Sequence, residues 1–426
     1  MFRPLLRALA LTLCVTLALA AAAQGPAMSD AAREANTRSY RALQQGDYLR
    51  AEELLRPHAF DAEGNPVDGF IYSSWAEAMT LMTGEPPARE PDGRTARAEY
   101  LAAIADADTR DAIAEIVERA RHTSIVFLNE DHGVPRSRAF GLQVAEALRP
   151  LGYTILAVET LQNDADLDTV DSRIAAINAD GYIRRDSGYY THDPVFADFL
   201  RQAMAAGYRL AAYEQTPDLR TTDPELSIPK REQAQADYLL NRVVNRNPGA
   251  KLLVYVGFSH ATEETQEPDG VALRWLAARI KAMTGIDPLT IDQTTLMRSG
   301  AAARSDALVD AATARAQGRS VVFLSPDGSP LVIGRYAGLV DLQVVHPDLP
   351  RVGDRPGWIP ALLHRTPTPV PAELLPETGT VLIQAFVATE GDAAIPVDQL
   401  LVTAGEAPGM LMLPDMPVRY AVQTPE

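Results

Sequence analysis

Four short, mostly apolar runs separated by helical stretches constrain the fold of this 426-residue chain more than any other feature. The runs are continuous rather than alternating, which is typical of strands that are covered on both faces of a parallel sheet. They are residues 124–128, 154–158, 209–213 and 252–256. The helices predicted to follow them are residues 135–148, 194–206, 230–245 and 271–284. The pattern predicts an α/β domain, with a largely parallel sheet flanked by helices and right-handed crossovers.

The segments on either side of this domain differ from it in composition. Residues 24–95 are predicted to form a helical N-terminal region and a linker, and residues 39–55 resemble one tetratricopeptide-type helical hairpin. A single repeat cannot bury its apolar face alone, so a helical cap on the next domain is expected. The α/β domain is assigned to residues 96–355. Residues 356–426 are assigned to a small C-terminal β module, which could bind a partner or simply close the fold.

Residues 1–23 are predicted to be a cleavable signal peptide. Arg3 and Arg7 give a basic start, an apolar run follows, and small residues precede Gln24. The run is short and lacks a stop-transfer flank, so we expect a periplasmic or secreted protein with no membrane insertion after signal cleavage. The only cysteine, Cys14, lies inside this signal, and Leu13 before it is not the small residue that lipidation needs. The mature chain therefore has no disulfide and no thiolate site.

The acidic balance of the chain restricts its partners. The formal net charge of -17 repels nucleic acid and anionic lipid, and both are excluded as expected partners. The sequence has no Gly-x-Ser-x-Gly elbow and no glycine-rich phosphate loop, which disfavours a serine hydrolase and nucleotide binding. A small-molecule or peptide substrate is expected, and the oligomeric state is left open.

Each of the four predicted strands is followed by glutamate or histidine. In open α/β sheets, ligands bind beyond the carboxyl ends of the strands. The residues at these ends are Glu130, His132, Glu159, Glu214 and His260. Any one of them could be a helix cap or a structural histidine, but all of them together predict a functional pocket. Carboxylates drawn to one cavity repel one another, so at least one pKa should rise, and protonation of the histidines should be favoured.

A metal is one possible use of these residues. His132, His260 and Glu159 form a possible ligand set for a divalent cation. The sequence lacks a tight metal-binding spacing, such as two histidines four apart on one helix. The cofactor therefore stays open between none and a divalent metal.

The order of these motifs resembles the superfamily of erythromycin esterases, ChaN-like haem-uptake lipoproteins and Tiki-type proteases. In that superfamily the first strand ends in a Gly-Glu-x-His-type motif and the second in glutamate. An Arg-Asp/Glu-x-x-Met-Ala-type helix then precedes a strand that ends in Gly-x-x-His. The matching runs here are Asn129-Glu130-Asp131-His132, Glu159, Arg231-Glu232-Gln233-Ala234-Gln235-Ala236 and Gly257-Phe258-Ser259-His260. The resemblance covers about residues 120–265. Asn129 replaces a usual glycine, which could change the backbone approach to a ligand, and Gln235 replaces a usual methionine, which should change only packing.

The resemblance implies roles for the matching residues. His132 would be the general base toward water, with Glu130 orienting it. Arg231 would hold a carboxylate or a substrate oxyanion, and His260 would polarise the carbonyl or help a metal. The glutamates that match the second and third strands are Glu159 and Glu214. Members of the superfamily hydrolyse esters, cleave peptides with a metal or bind haem, so the resemblance supports a pocket more than a substrate.

Two further residues are weaker candidates for substrate binding. Arg136 could reach an anionic substrate, although such residues are more often solvated. His192 lies in a polar aromatic loop that could cover the pocket. The alternative is a capping loop, with Asp193 as the N-cap and Pro194 in the first turn of the next helix.

Three functions are compatible with these features. The first is an exported hydrolase of an ester or amide bond, and the second is a protein that binds haem or a metal complex without turnover. Haem needs an axial ligand beside a large apolar face; Tyr189, Tyr190 and Tyr213 are available, but no haem motif is present. The third is a scaffold whose pocket is vestigial.

Overall fold

A computed structural model describes residues 28–67, 69–87, 96–266, 272–298 and 306–425. The predicted signal peptide at 1–23, and Cys14 within it, lie outside these residues, as does most of the predicted linker. Over the described ranges, no helix is both long enough and apolar enough to cross a membrane.

The described residues form helices and strands that alternate through the middle of the chain. The helices are α1 Asp30–Gln45, α2 Tyr48–Ala59, α3 Phe70–Thr83, α4 Ala98–Asp106, α5 Ala112–Ala120, α6 Arg136–Leu148, α7 Leu167–Asp180, α8 Pro194–Ala205, α9 Pro224–Tyr238, α10 Leu276–Thr284, α11 Ala307–Arg315 and α12 Trp358–Leu363. The strands are β1 Asp108–Asp111, β2 Ile125–Glu130, β3 Tyr153–Val158, β4 Arg209–Ala212, β5 Lys251–Gly257, β6 Leu289–Asp292, β7 Val321–Leu324, β8 Leu342–Val345, β9 Thr366–Pro369, β10 Thr380–Val387, β11 Asp398–Thr403, β12 Met410–Leu413 and β13 Val418–Gln423.

The main sheet has eight strands in the order β1-β7-β8-β6-β2-β5-β3-β4. All pairs from β8 to β4 are parallel, whereas β7 pairs antiparallel with β8 and β1 antiparallel with β7. The predicted largely parallel α/β sheet is therefore confirmed. β5 lies between β2 and β3 in the sheet, so the carboxyl ends of these three parallel strands are side by side.

The central strands are buried on both faces, as their continuous apolar runs predict. In β2, Val126 and Leu128 pack against one core, which α5, α6 and α8 complete. Ile125 and Phe127 point to the other face and pack with residues of α9 and α10. Because successive side chains of a strand point to opposite faces, a strand between two helical layers must be apolar at every position.

Two predicted helices differ in their bounds. The helix predicted at 230–245 begins earlier, as α9, and continues after Tyr238 as a π-helical turn over Leu239–Val244. The helix predicted at 271–284 begins only at Leu276, because Leu273 is held in a β-bridge with Gln266.

The N-terminal region contains three described helices, α1 to α3, rather than one hairpin. They pack on both neighbouring parts of the chain. The Tyr48 hydroxyl donates a hydrogen bond to the His192 carbonyl at 2.8 Å, and Leu81 and Met82 pack with Leu382 of β10. The N-terminal helices therefore pack against both the α/β domain and the C-terminal strands, as expected of a helical cap. α3 lies at the carboxyl end of the main sheet.

The C-terminal residues form two small antiparallel sheets, β11-β10-β13 and β12-β9, as the predicted β module requires. Buried ion pairs connect these strands to preceding elements. Arg201 of α8 lies 2.6 Å from Glu390, and Arg355 lies 2.6 Å from Asp398. These contacts favour a role in closing the fold.

Candidate functional site

His132 follows β2 and is oriented by Glu130, the last residue of that strand. Its Nδ1 lies 2.7 Å from Glu130 Oε1. Arg138 of α6 donates from Nε to Glu130 Oε2 at 2.7 Å and pairs with Asp193 at 2.6 Å. Burial raises the pKa of Glu130, but Arg138 and His132 outweigh burial and hold it at about 2. An ionised carboxylate can only accept, so Nδ1 carries the proton and Nε2 keeps a lone pair.

Aromatic rings fix the plane of the His132 imidazole. Tyr190 stacks on it with ring centroids 4.1 Å apart, and Phe258 meets it edge-on at 5.4 Å. The His132 side chain is 15% exposed. The imidazole is therefore held in one orientation while one side still reaches solvent.

Gly257, the last residue of β5, lets the backbone approach His132 closely. Its N–H donates to Glu159 Oε2 at 2.6 Å. A methyl group on its α-carbon would lie 2.5 Å from His132 Nε2 and 3.2 Å from Glu159 Oε2. The glycine at the start of the Gly-x-x-His motif is thus required by space, because its φ of -82° is open to any residue.

Arg231 of α9 joins the other strand-end residues. Its Nε donates to Glu214 Oε1 at 3.0 Å, and its other nitrogens bond Glu159 and lie 3.1 Å from His260 Nε2. Gln235 also donates to Glu214 Oε2, at 3.0 Å. The expectation that Gln235 changes only packing is therefore wrong, since its amide holds a carboxylate of the site.

Asn129, the other departure from the family pattern, is buried and connects neighbouring elements through hydrogen bonds. Its Nδ2 donates to the Phe258 carbonyl at 3.0 Å and to Asp292 Oδ1 at 2.9 Å. Its Oδ1 accepts from the Gln293 N–H at 2.8 Å. The side chain ties β2 to the loop after β5 and to β6, so it supports Phe258 and does not line the cleft.

The charges of the strand-end residues are arranged differently from the prediction. Burial raises the pKa of Glu159, but His260 and Arg231 outweigh it and lower that pKa. Glu130 and Glu159 therefore do not have the raised pKa that mutual repulsion predicted, because an arginine lies against each. For His260, burial lowers the pKa, but Glu232 and Glu159 outweigh burial and raise it, as expected. Glu232 Oε1 lies 2.8 Å from His260 Nδ1 without the alignment of a hydrogen bond.

Burial also raises the pKa of Asp131, beside His132, and a further carboxyl group with a raised pKa lies on α3, outside the predicted site. Burial raises the pKa of Glu77 to about 7, although Arg138 and His132 partly oppose it. Glu77 and His132 line the same cavity of about 260 Å³, which we call the His132 cleft. Its other main walls are Tyr72, Val134, Tyr190 and Phe258. Sequence reasoning missed Glu77, yet it is the only charged residue in an otherwise uncharged helix, and that was the available signal.

The predicted metal ligands do not fit a metal ion. The Arg231 guanidinium contacts both Glu159 and His260, where a cation would have to lie. Within the described part of the chain, no group of three His, Cys, Asp or Glu residues could hold a metal ion. The predicted set of His132, His260 and Glu159 is therefore wrong.

The two weaker candidates lie outside the His132 cleft. His192 is buried, its Nδ1 lies 2.6 Å from the Tyr189 carbonyl, and burial lowers its pKa. The Asp193 side chain accepts from the Val195 N–H at 3.0 Å, and Pro194 opens α8, so the capping interpretation of this loop is confirmed. Arg136, the first residue of α6, lines an adjoining cavity.

No protein-family model matches this sequence, and a search of curated proteins finds no match. Among solved structures, the chain is similar to RRSP, a MARTX toxin effector domain from Vibrio vulnificus CMCP6, with 15% identity, 61% of this chain and 55% of that chain covered, and a TM-score of 0.35. It is also similar to ChaN of Campylobacter jejuni, whose structure shows cofacial heme binding, with 9% identity, 61% and 99% coverage and a TM-score of 0.34. The C-terminal region of Pasteurella multocida toxin matches with 12% identity, 48% and 27% coverage and a TM-score of 0.32. The chain spans a little over half the length of the Vibrio chain. Function therefore has to be inferred from the residues of the site.

Replacing Gly257 with alanine should displace His132 and lower stability by about 1–3 kcal/mol, the usual cost of overpacking. The matched control is Gly133→Ala in the neighbouring loop, where a methyl group would lie 3.5 Å from its nearest neighbour. That control should change stability by less than about 0.5 kcal/mol. Urea unfolding measures both variants, and equal values for the two would contradict the close approach described above.

Proposed function

We propose that this protein hydrolyses an ester or amide bond in the His132 cleft, with His132 as the general base. The observation that carries the proposal is the geometry of one imidazole. Its Nδ1 is fixed by an ionised Glu130, its ring is clamped by Tyr190, and its Nε2 is left to accept a proton. A carboxylate that fixes the tautomer and orientation of a histidine is the usual way to prepare such a base.

Glu77 supplies the complementary acid. With a pKa of about 7 it retains a proton near neutral pH, whereas Glu130 with a pKa of about 2 is ionised. Carboxyl groups whose pKa values are pushed apart are suited to separate acid and base roles. Water attacks the carbonyl carbon as Nε2 of His132 takes its proton, and Glu77 protonates the leaving oxygen or nitrogen as the scissile bond breaks. The imidazolium then returns its proton to Glu77 through solvent.

Arg231 and His260 have positioning roles and do not act as the acid or the base. Arg231 holds Glu159, and Glu159 in turn accepts the Gly257 N–H that lies against His132. Since Arg231 already contacts two carboxylates, it fits the first of its expected roles, holding a carboxylate, better than binding a substrate oxyanion. We infer that both residues position the base.

A screen of aryl esters and short peptide amides with purified mature protein tests the proposal. Expected is turnover that falls below detection in His132→Ala and is reduced in His260→Ala. The proposal fails if no substrate is turned over above background, or if His132→Ala retains full activity. The substrate is expected to be a small molecule or peptide met in the periplasm or outside the cell.

The pH dependence of a Glu77→Gln variant provides a further test. The folded pKa of Glu77 is above its ordinary value, so its stabilising contribution is fully present below about pH 4.5 and is lost as pH rises through about 7. Glutamine cannot ionise. Glu77→Gln should therefore gain stability relative to the natural protein between pH 5 and 9, by about 1–2 kcal/mol because the side chain is only half-buried.

Activity should respond to the same titration. The rate of the natural protein should fall above about pH 7 as Glu77 loses its proton, and Glu77→Gln should be slower, without that alkaline decline. Glu34→Gln, at an exposed position on α1, is the control and should match the natural protein. An unchanged pH–rate profile in Glu77→Gln would exclude the acid role.

Binding without turnover is the second candidate function. The aromatic walls of the His132 cleft, Tyr72, Tyr190 and Phe258, favour a flat ligand such as haem or a metal complex. Tyr213 is not available as an axial ligand, since its hydroxyl donates to the Tyr255 carbonyl at 3.0 Å. A Soret band that saturates on haem titration, with no hydrolysis of any ester or amide, would favour this function over the first.

A further inference from the structure

A second cavity of about 390 Å³ adjoins the His132 cleft. Val134 and Pro86 line both cavities, so only the short turn before α6 and one proline lie between them. Ligand pockets usually measure about 300–1,000 Å³, so a ligand that reaches into both spaces would be of ordinary size. The charged and aromatic side chains around this second cavity are Arg136, Arg298, Arg351, Glu85, Asp348 and Trp358. We call it the Arg136 cavity.

Arg136 is a buried cation that forms no direct ion pair with the described carboxylates. It is 7% exposed, and its only described hydrogen bond is from one terminal nitrogen to the Pro347 carbonyl. Its Nε has no hydrogen-bond partner among the described residues. The negative charge of Asp348 acts on Arg136 and opposes the effect of burial on its pKa, but no described carboxylate forms an ion pair with it. A buried charge without a directly paired counter-ion is costly, and an oxyanion bound at Arg136 would remove part of that cost. Burial lowers the pKa of Arg136 to about 10, which leaves it charged at neutral pH.

The other two arginines of the cavity are balanced by carboxylates. Arg298 lies 3.2 Å from Asp348 and 2.6 Å from Asp310, and Arg351 pairs with Glu85 at 2.5 Å. Three arginines thus face three carboxylates around the cavity, but Asp348 pairs directly with Arg298, and Arg136 is the arginine with no carboxylate within ion-pair distance among the described residues. It is also the first residue of the 13-residue α6, whose N-terminal end adds positive potential at the same place.

We propose that the Arg136 cavity binds an oxyanion group, a carboxylate or phosphate, of the substrate whose ester or amide bond lies in the His132 cleft. Arg136 would form a charge-assisted hydrogen bond to this group through the terminal nitrogen that does not bond Pro347. Trp358 offers an apolar surface to the part of the molecule next to the anion. The substrate class is therefore an anionic small molecule or a peptide with a free carboxylate. The inference rests on the proposed hydrolysis for the substrate, but not for anion binding itself.

Anion binding can be measured without any activity. Calorimetric titration with inorganic phosphate and with acetate should show saturable binding by the natural protein. Binding should weaken about tenfold to a hundredfold in Arg136→Met and be partly kept in Arg136→Lys. Arg121→Met removes an equal charge from an exposed site remote from the cavity and should bind as the natural protein does. Preference for phosphate over acetate, or the reverse, identifies which oxyanion fits.

Measuring the free energy of unfolding tests whether Arg136→Met loses anion binding only because the protein is less stably folded. Because methionine removes a buried cation that forms no direct ion pair, Arg136→Met should be at least as stable as the natural protein in the absence of anions. The natural protein should gain stability with added phosphate, and the variant should not. Absence of phosphate and acetate binding by the natural protein, or equal binding by Arg136→Met, would overturn the inference.

Matched esters with and without a carboxylate then connect the cavity to turnover. The natural protein should prefer the anionic ester about tenfold or more in KM, and Arg136→Met should lose that preference, whereas Arg121→Met should keep it. Hydrolysis of neutral esters without any anion binding would overturn the inference and leave the proposed function standing. Anion binding without hydrolysis of either ester would leave anion binding by the Arg136 cavity standing and would overturn the proposed hydrolysis.

Discussion

Replacing His132 with glutamine is expected to lower kcat/KM for the ester or amide substrate by about 10²–10⁴-fold, the usual contribution of a positioned general base. Glutamine is close to histidine in size and can still hydrogen-bond Glu130, but it has no nitrogen that accepts a proton at neutral pH. The loss should appear mainly in kcat, because His132 contacts the attacking water rather than the distal parts of the substrate. Steady-state kinetics on the best substrate of the screen measures it.

Two controls separate catalysis from folding. His122→Gln makes the same change at an exposed histidine and should leave kcat/KM unchanged. Unfolding curves should place His132→Gln within about 1 kcal/mol of the natural protein, since the side chain remains partly exposed. A folded His132→Gln protein with more than about a tenth of the natural activity would show that another group activates the water.

Replacing Arg138 with methionine should cause the largest loss of stability, about 3–5 kcal/mol. Arg138 is 2% exposed and compensates two buried carboxylates, Glu130 and Asp193. Methionine would leave both carboxylates in the interior without the cation that compensates them, in contrast to the usual small effect of a surface pair. Urea unfolding at pH 7 measures the loss.

The matched control is an arginine in an exposed ion pair. Arg246→Met breaks a two-point contact with Asp171, but both side chains are 45% exposed, so the cost should be about 0–1 kcal/mol. The buried charges can also be removed together. A triple variant, Arg138→Met with Glu130→Gln and Asp193→Asn, should recover much of the lost stability, because no charge is left unpaired. Similar losses for Arg138→Met and Arg246→Met would show that burial does not decide the effect.

Local sequence was sufficient to predict the main strands and the residues that meet at their carboxyl ends. A strand between two helical layers must be apolar at every position, which made β2 to β5 visible as continuous runs. β1 and β6 were not predicted, because β1 contains no apolar residue and β6 is apolar only at alternate positions, so neither forms a continuous apolar run. The rule that ligands bind at the carboxyl ends of parallel strands placed Glu130, His132 and Glu159 around one point, and the contacts at Gly257 agree.

The sequence alone therefore predicted which residues lie at the strand ends. It also predicted the layered architecture that brings these residues together. Only the tertiary structure decided their charges. Arg138 and Arg231 come from helices whose faces are set by packing, and Glu77 comes from a region that is distant along the chain. A pKa depends on burial and on neighbours within a few ångströms, and these neighbours are chosen by long-range contacts that no local pattern records. For this reason Glu130 and Glu159 have lowered pKa values, while Glu77, which the sequence did not predict, has a raised one.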